Sequence, residues 1–478
     1  MRYRSTRQLS TDPGSLGFEE VLLTGLAPDG GLYVPVSLPQ FSAEEIRALR
    51  GLPYADLAAR VLTPFIGDLM PADAFRDLLR EVYGRFDHVA TAPLTQLRPD
   101  EFLLELFHGP TLAFKDYAMQ VLGRLFDHVL TRNGKRATIV GATSGDTGSA
   151  AIEACRGSAA MDIFILFPRG RTSAVQRRQM TTVDAPNVHA LAIDGTFDDC
   201  QDLVKAMFND AEFRRRHALS AVNSINWARI LPQVAYYFAA AVALGAPDVP
   251  VSFTVPTGNF GNVYAGHVAR LMGLPIAELV IATNRNDILY RFIETGAMRI
   301  DAVEPSLSPS MDIQVSSNFE RLFHEVSGRD GGVVAEAMSE FRRSGTLPAS
   351  EAAWRAASSL FKAHRVDDAG IRATIAQVYR ETGTLIDPHS AVAVAASRAR
   401  AEYTGGGHRG ATRVPLACAH PAKFPEVVEE VTGRHPPLPP HLADLMDRPE
   451  RQYDLPNDLA AIQAFIAARS SGSTGDVA

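Results

Sequence analysis

The segment FHGPTLAFKDYAMQVLGRLFDHVL puts a lysine in an unusual electrostatic position. Gly109 and Pro110 read as turn residues, and Phe114, Ala118, Val121, Leu122, Leu125 and Val129 recur at helical spacing, so Lys115 falls in the first turn of a helix. A helix N-terminus carries partial positive charge and favours anions by roughly 0.3–1 kcal/mol at exposed sites, so a cation there calls for a functional explanation. The same potential, with partial burial between Phe114 and Tyr117, favours the neutral amine, the form that attacks an aldehyde to make a Schiff base. Taken alone, such a lysine reads first as a solvated surface group.

Two glycine loops change the balance. GATSGDTGS (Gly141–Ser149) follows the strand-like RATIV and precedes a helix; its glycines free backbone amides and its hydroxyls add donors, which suits a carboxylate or a phosphate. It matches neither the Walker pattern nor GxGxxG. PTGNFGN (Pro256–Asn262) again joins a buried strand to a helix, and Gly258 and Gly261 allow close backbone approach to an oxyanion. Each loop alone fits any α/β protein. A lysine on one sheet unit and an amide-lined phosphate nest on another is an arrangement that can hold a phosphorylated aldehyde cofactor between two domains.

The elements that carry these groups alternate. From Glu101, strand-like Phe102–Phe107, Ala137–Val140 and Ile163–Phe167 are separated by helical Ala118–Thr131 and Ser149–Arg156, which predicts βαβ units and a parallel sheet. A second series runs Val249–Val255, Gly261–Met272 and Leu279–Thr283, its first member apolar enough to be buried on both faces. Two sheets imply a cleft. Residues 320–382 read mostly as helices, including Glu351–His364 and Ala369–Glu381, and Val414–Ala417 is a late buried strand. Before all of this lie a turn-rich stretch (Ala27–Pro35) and two amphipathic patterns, Ala43–Leu49 and Tyr54–Ile66. The expected organisation is a small N-terminal domain over 1–95, a smaller domain with the lysine over 96–245, and a larger domain with the phosphate loop over 246–465. That larger domain contains the helical insertion at about 320–382, and a flexible tail over 466–478 follows it. HPPLPPH (His435–His441) reads as a stiff connector.

Bulk composition narrows the function classes. In 478 residues, 54 acidic and 47 basic side chains are mixed along the chain for a formal charge of -7, which gives no broad basic face for nucleic acid or an anionic membrane. Cys155, Cys200 and Cys418 form no CxxC pair and leave one odd in any disulfide scheme, so a reducing, cytoplasmic setting is expected. The start lacks the apolar core of a signal peptide, and the apolar run around Val234–Leu244 is too short to span a bilayer. No metal is expected: His324-Glu325 is followed by Val326-Ser327-Gly328, so HExxH is absent.

The segments HGPTLAFKDYAMQ, GATSGDTGSAA, NSINWARI, PTGNFGN, ATNRND, PSMDIQVSSNFER, DPHSAVAV and AHPAKFPE, in this order, closely resemble the signatures of the threonine synthase family. The N-terminal STR and DGGLYVP pieces fit as well, so the resemblance spans nearly the whole chain. It implies an α/β fold-type II pyridoxal 5'-phosphate enzyme, tryptophan synthase β-like, with two parallel-sheet domains. The implied reaction turns O-phospho-L-homoserine and water into L-threonine and phosphate by γ-elimination and β-addition of water. Carried over by motif, Lys115 is the Schiff-base lysine, and Gly258, Asn259, Phe260, Gly261 and Asn262 bind the cofactor phosphate. Thr143, Ser144, Gly145, Asp146 and Thr147 face the substrate carboxylate. Where the family has a threonine hydroxyl against the pyridine nitrogen, this chain has Cys418, so a nitrogen that is not firmly protonated is expected. A small buried core cysteine is the plainer reading.

For the substrate phosphate the candidates are Thr196, Asn223, Asn226 and Arg229, with Ser173 and Arg169–Arg178 near in sequence; Arg177 and Arg178 read also as a solvated helical face. His389 and His420 are candidates for supporting groups or plain structural histidines. A serine or threonine dehydratase, or another eliminating lyase, shares the lysine and the loop, and a non-catalytic phosphate-binding relative is the alternative from another class; Lys115 and PTGNFGN are both intact. The expected partner is a small-molecule substrate only, with no nucleic acid and no membrane, on a monomer or small homo-oligomer.

Overall fold

A computed structural model describes residues 1–9, 14–221, 224–403 and 411–471. The chain forms two compact units, one of Met1–Gly109 with Ser224–Pro436 and one of Pro110–Asn223 with Pro437–Ala478. Among the described residues the strands are β1 (Tyr3–Ser5), β2 (Tyr33–Pro35), β3 (Leu94–Arg98), β4 (Glu101–Glu105), β5 (Ala137–Ala142), β6 (Met161–Pro168), β7 (Val188–Ile193), β8 (Leu219–Ser220), β9 (Val251–Pro256), β10 (Ile276–Thr283), β11 (Lys362–Arg365), β12 (Thr412–Ala417) and β13 (Tyr453–Leu455).

The larger unit is built on a six-stranded sheet in the order β11-β10-β9-β12-β4-β3, parallel except for the edge strand β3. All six residues of β9 are buried, as an apolar run covered on both faces requires. The N-terminal patterns form helices Ala43–Arg47 and Tyr54–Ile66; the first is capped by Ser42 and Glu45, and the second buries Leu57, Val61, Leu62 and Phe65 against helix Trp227–Ala243.

Two expectations are corrected here. β4 lies between β12 and β3, so it does not open the sheet that holds β5 and β6. Periodicity identifies a strand but not its neighbours, and after Glu105 the chain stays beside β12 through Leu106 N–H to the Ala417 carbonyl, 2.9 Å. The helix expected over Glu351–His364 stops at Leu360, and residues 362–365 become the edge strand β11. Phe361 turns extended (φ -129°, ψ 151°) and buries its ring against Phe260, 5.6 Å between centroids, so tertiary packing overrides the helical pattern.

The smaller unit holds a parallel sheet in the order β13-β7-β6-β5-β8, with every residue of β6 buried. Val140, Phe164, Leu191 and Ile193 pack with Leu203, Met207, Ile462 and Ile466 from helices Phe197–Asn209 and Leu459–Ala467. The proline-rich connector does more than space the chain: Leu438 and Leu442, with Leu445, pack on Leu112 and Val175. The flexible tail expected over 466–478 begins too early, since Ile466 is buried in this core and helix Leu459–Ala467 runs past it; residues 472–478 lie outside the described residues. Among those described, no helix is long and apolar enough to cross a membrane, and Cys155, Cys200 and Cys418 are buried thiols outside any disulfide.

Burial pushes His189, His324 and His420 down to about 4 from the ordinary 6.5. Each folded pKa lies below the unfolded one. The stability these neutral rings allow is therefore complete above about 6.5 and is lost as pH falls toward 4, at about 1.4 kcal/mol per pH unit for each ring. Melting temperature is expected to fall steeply across that window. In a His189→Phe variant, whose ring keeps the 4.5 Å stacking on Phe164, the slope should be shallower; parallel slopes would refute the assignment.

Candidate active site

Lys115 opens helix Lys115–Arg132. The turn before it is set by the buried Asp116 carboxylate, which accepts from the Thr111 amide at 2.8 Å and the Thr111 hydroxyl at 2.7 Å. Leu112 is left-handed at φ 61°. The lysine side chain is 12 % exposed, and its Nζ donates to Asp146 Oδ2 at 3.2 Å. The sequence points to the helix N-terminus alone; the structure adds the Asp146 carboxylate beside the amine.

Asp146 begins helix Asp146–Cys155 and is itself held by Gln176, whose Nε2 donates to Oδ1 at 2.9 Å. In the same loop the buried Thr143 hydroxyl accepts from the Gly145 and Gly148 amides, both at 2.9 Å, so it shapes the loop. Ser144 is the exposed residue of the motif and Thr147 is half-buried. Gly145 sits at φ 149° with the Gln176 side chain packed where a Cβ would be.

In the larger unit, the loop after β9 leads into helix Gly261–Leu271. Its Phe260 is left-handed at φ 65°, with its ring packed 5.5 Å from that of Phe319 and 5.6 Å from that of Phe361. A Cβ on Gly258 would lie 3.1 Å from the Ser310 carbonyl, and Ser316 Oγ donates to the Gly258 carbonyl at 2.7 Å. The Asn259 carbonyl accepts from Asn318 N and Nδ2 at 3.1 and 2.9 Å. Asn262 Oδ1 accepts from the Tyr236 and Tyr237 hydroxyls at 2.6 and 2.7 Å, which turns its Nδ2 onto Cys418 Sγ at 3.8 Å. Cys418 is therefore tied by hydrogen bonding to the segment that follows β9.

Sequence reasoning did not find the supports. Fully buried Arg321 donates to the carbonyls of Tyr33 and Ile225 at 3.1 and 2.6 Å and to Asn318 Oδ1, and its guanidinium lies 5.8 Å from the Trp227 ring. Glu320 pairs with Arg7 at 2.7 Å and accepts from Thr6. The STR and DGGLYVP pieces thus anchor the segment that carries Asn318. Tyr236 and Tyr237 were visible as the two polar-tipped residues inside an apolar run. Gln176 gave no signal beyond completing a capping box with Ser173.

The remaining candidates divide by role. Thr196 caps helix Phe197–Asn209 and bonds Asp199. Asn226 caps helix Trp227–Ala243 through Ala228 N–H and donates to the Leu22 carbonyl at 2.9 Å, so both ends of its amide hold the fold. Arg177 pairs with Glu450, and Arg178 donates to the Arg448 carbonyl, a structural role for both. His389 is fixed by Asp387 at 2.7 Å and accepts from Ser310 N–H, while His420 caps its own turn through Ala422 N–H. Arg229 is buried, and desolvation lowers its pKa to about 10, which leaves it cationic at neutral pH. Asn223 lies outside the described residues.

Models of three protein families match: threonine synthase N terminus over residues 2–83, pyridoxal-phosphate dependent enzyme over 87–357, and threonine synthase C-terminal over 390–466. A threonine synthase of Pseudomonas aeruginosa is 55% identical over 469 residues, covering 98% of each chain. The crystal structure of PLP-bound threonine synthase from Brucella melitensis superposes with a TM-score of 0.94 at 55% identity, covering 98% of this chain and 100% of that one. The yeast threonine synthase structure gives 0.92 at 38% identity and covers 98% of each. With the lysine-opened helix, the amide-rich loops and both terminal regions accounted for, the chain belongs to the threonine synthase family of pyridoxal-phosphate-dependent enzymes.

Proposed function

We propose that this protein converts O-phospho-L-homoserine and water into L-threonine and inorganic phosphate, with pyridoxal 5'-phosphate carried on Lys115. The observation that supports this most is likeness over the whole chain, including the terminal regions particular to threonine synthases. The residues suit the cofactor: a largely buried primary amine for an aldehyde, and a glycine-containing loop at the start of helix Gly261–Leu271, where backbone amides are available to a phosphate. When bound, the cofactor supplies an electron sink for negative charge formed at the substrate Cα and Cβ.

With the cofactor bound, Lys115 Nζ would be the group that takes the proton from the substrate Cα and serves as base and acid for the proton transfers that follow. Asp146, steadied by Gln176, positions that amine. The amides of 258–262 would hold the cofactor phosphate, and Ser144 and Thr147 would meet the substrate carboxylate on a loop shaped by Thr143. Of the substrate-phosphate candidates, Arg229 is retained; Thr196 and Asn226 serve as caps. Residues 1–95 act as an N-terminal domain; the lysine is carried by the unit of Pro110–Asn223 with Pro437–Ala478, and the loop after β9 by the unit of Met1–Gly109 with Ser224–Pro436. The protein works in the cytoplasm as a monomer or small homo-oligomer.

Assaying threonine and phosphate together after adding O-phosphohomoserine tests the reaction; 2-oxobutyrate with ammonia in place of threonine would favour an eliminating lyase. Cys418→Thr should keep its activity, because a hydroxyl can take the place of the thiol beside Asn262. A fall in kcat/KM beyond about tenfold, 1.4 kcal/mol, would show that the sulfur itself matters.

A further inference from the structure

A pocket of about 60 Å³ lies wholly within the larger unit, walled by the residues around β2 and by helices Gly261–Leu271 and Phe319–Val326. That volume has room for roughly four to six water-sized groups. Its lining is divided. Val36, Val268 and Leu271 make an apolar wall; Arg4, Arg321 and Arg329 bring positive charge, against a single carboxylate, Glu325, which is already shared with His267 at 3.0 Å.

Two polar atoms here are unmet among the described residues. His324 is 3% exposed, and its Nε2 is buried without a hydrogen-bond partner; Arg4 Nε is in the same condition. Burial keeps the His324 ring neutral, with its pKa near 4, and a neutral imidazole carries one lone-pair nitrogen with which to accept a donor. Arg329 is exposed and left-handed at φ 59°, a conformation that only its surroundings hold for a residue with a Cβ. Its guanidinium reaches the Val36 carbonyl at the pocket. Surplus guanidinium charge, an acceptor in want of a donor, a carboxylate and an apolar wall within so small a space describe the complement of a zwitterion with a short alkyl chain.

We infer that this pocket binds a small α-amino acid with an apolar side chain: its carboxylate on Arg4 and Arg329, its ammonium on Glu325 and His324 Nε2, and its alkyl group against Val268 and Leu271. The site is separate from the residues assigned to catalysis. It is connected to them through Arg321, which lines the pocket and also holds Asn318, the support of the Asn259 carbonyl.

The test uses full-length holoenzyme reduced with borohydride, so that no added amino acid can exchange onto the cofactor, and reads heat rather than turnover. L-valine is the probe, with butyrate and inorganic phosphate titrated separately. One L-valine per chain is expected to bind, with butyrate weaker for want of the ammonium. Arg329→Ala and Arg4→Met should each weaken L-valine by about tenfold or more, the loss of one charge-assisted hydrogen bond, while leaving turnover of the unreduced enzyme unchanged. Absence of L-valine heat, binding of phosphate alone, or equal L-valine affinity in the wild type and both arginine variants would each overturn the assignment.

Discussion

Lys115→Ala is expected to lower threonine and phosphate release by on the order of 10³-fold or more, since one amine serves as cofactor attachment and as the base and acid of several proton transfers. The visible absorbance of the lysine-bound cofactor should vanish with it. Folding should survive. Asp146, which loses its 3.2 Å partner, keeps the Gln176 amide at 2.9 Å and the start of helix Asp146–Cys155, both of which stabilise a carboxylate. Lys115→Arg should not restore turnover, because a guanidinium stays protonated and is no nucleophile at neutral pH. A Lys115→Ala protein with full activity would remove the mechanism altogether.

How much of this was legible in the sequence depends on the range of the interaction. Lys115 at a helix start, Thr143 to Thr147 after β5 and Gly258 to Asn262 after β9 were readable, because turn residues and strand-to-helix junctions are local and periodic. What was missed is non-local. Arg321 reaches Tyr33 across 288 positions, and Tyr236 reaches Asn262 across 26; no spacing rule links such residues. The same holds for β4, whose pattern marks a strand but not its place beside β12. Thr196 and Asn226 show the opposite error: a polar side chain before a helix was given to a ligand when its nearest unsatisfied amides, two or three residues on, had the prior claim. Cys418 was singled out only by comparison with a family pattern, and its hydrogen bond to Asn262 depends on two tyrosines that orient the amide from a distant helix.

Gly145→Ala should cost both stability and activity. At φ 149° the position is strained for any residue with a Cβ, and the new methyl carbon would sit 2.4 Å from Gln176 Cδ. Gln176 cannot give way cheaply, because it is 5% exposed and fixed at both ends: Oε1 accepts from Ser173 N–H at 3.3 Å while Nε2 holds Asp146. Backbone strain of about 1–3 kcal/mol is expected in the melting curve. Displacement passed from Gln176 to Asp146 and so to Lys115 Nζ should cost about 10²-fold in kcat/KM, the usual penalty for misplacing a reacting group by about an ångström. The double variant Gly145→Ala with Gln176→Ala removes the clash but not the backbone strain, so stability should recover in part, and the two changes should be non-additive. If Gly145→Ala alone matched the wild type in melting temperature and in kcat/KM, the chain of contacts from that glycine to the lysine would have no hold on the amine.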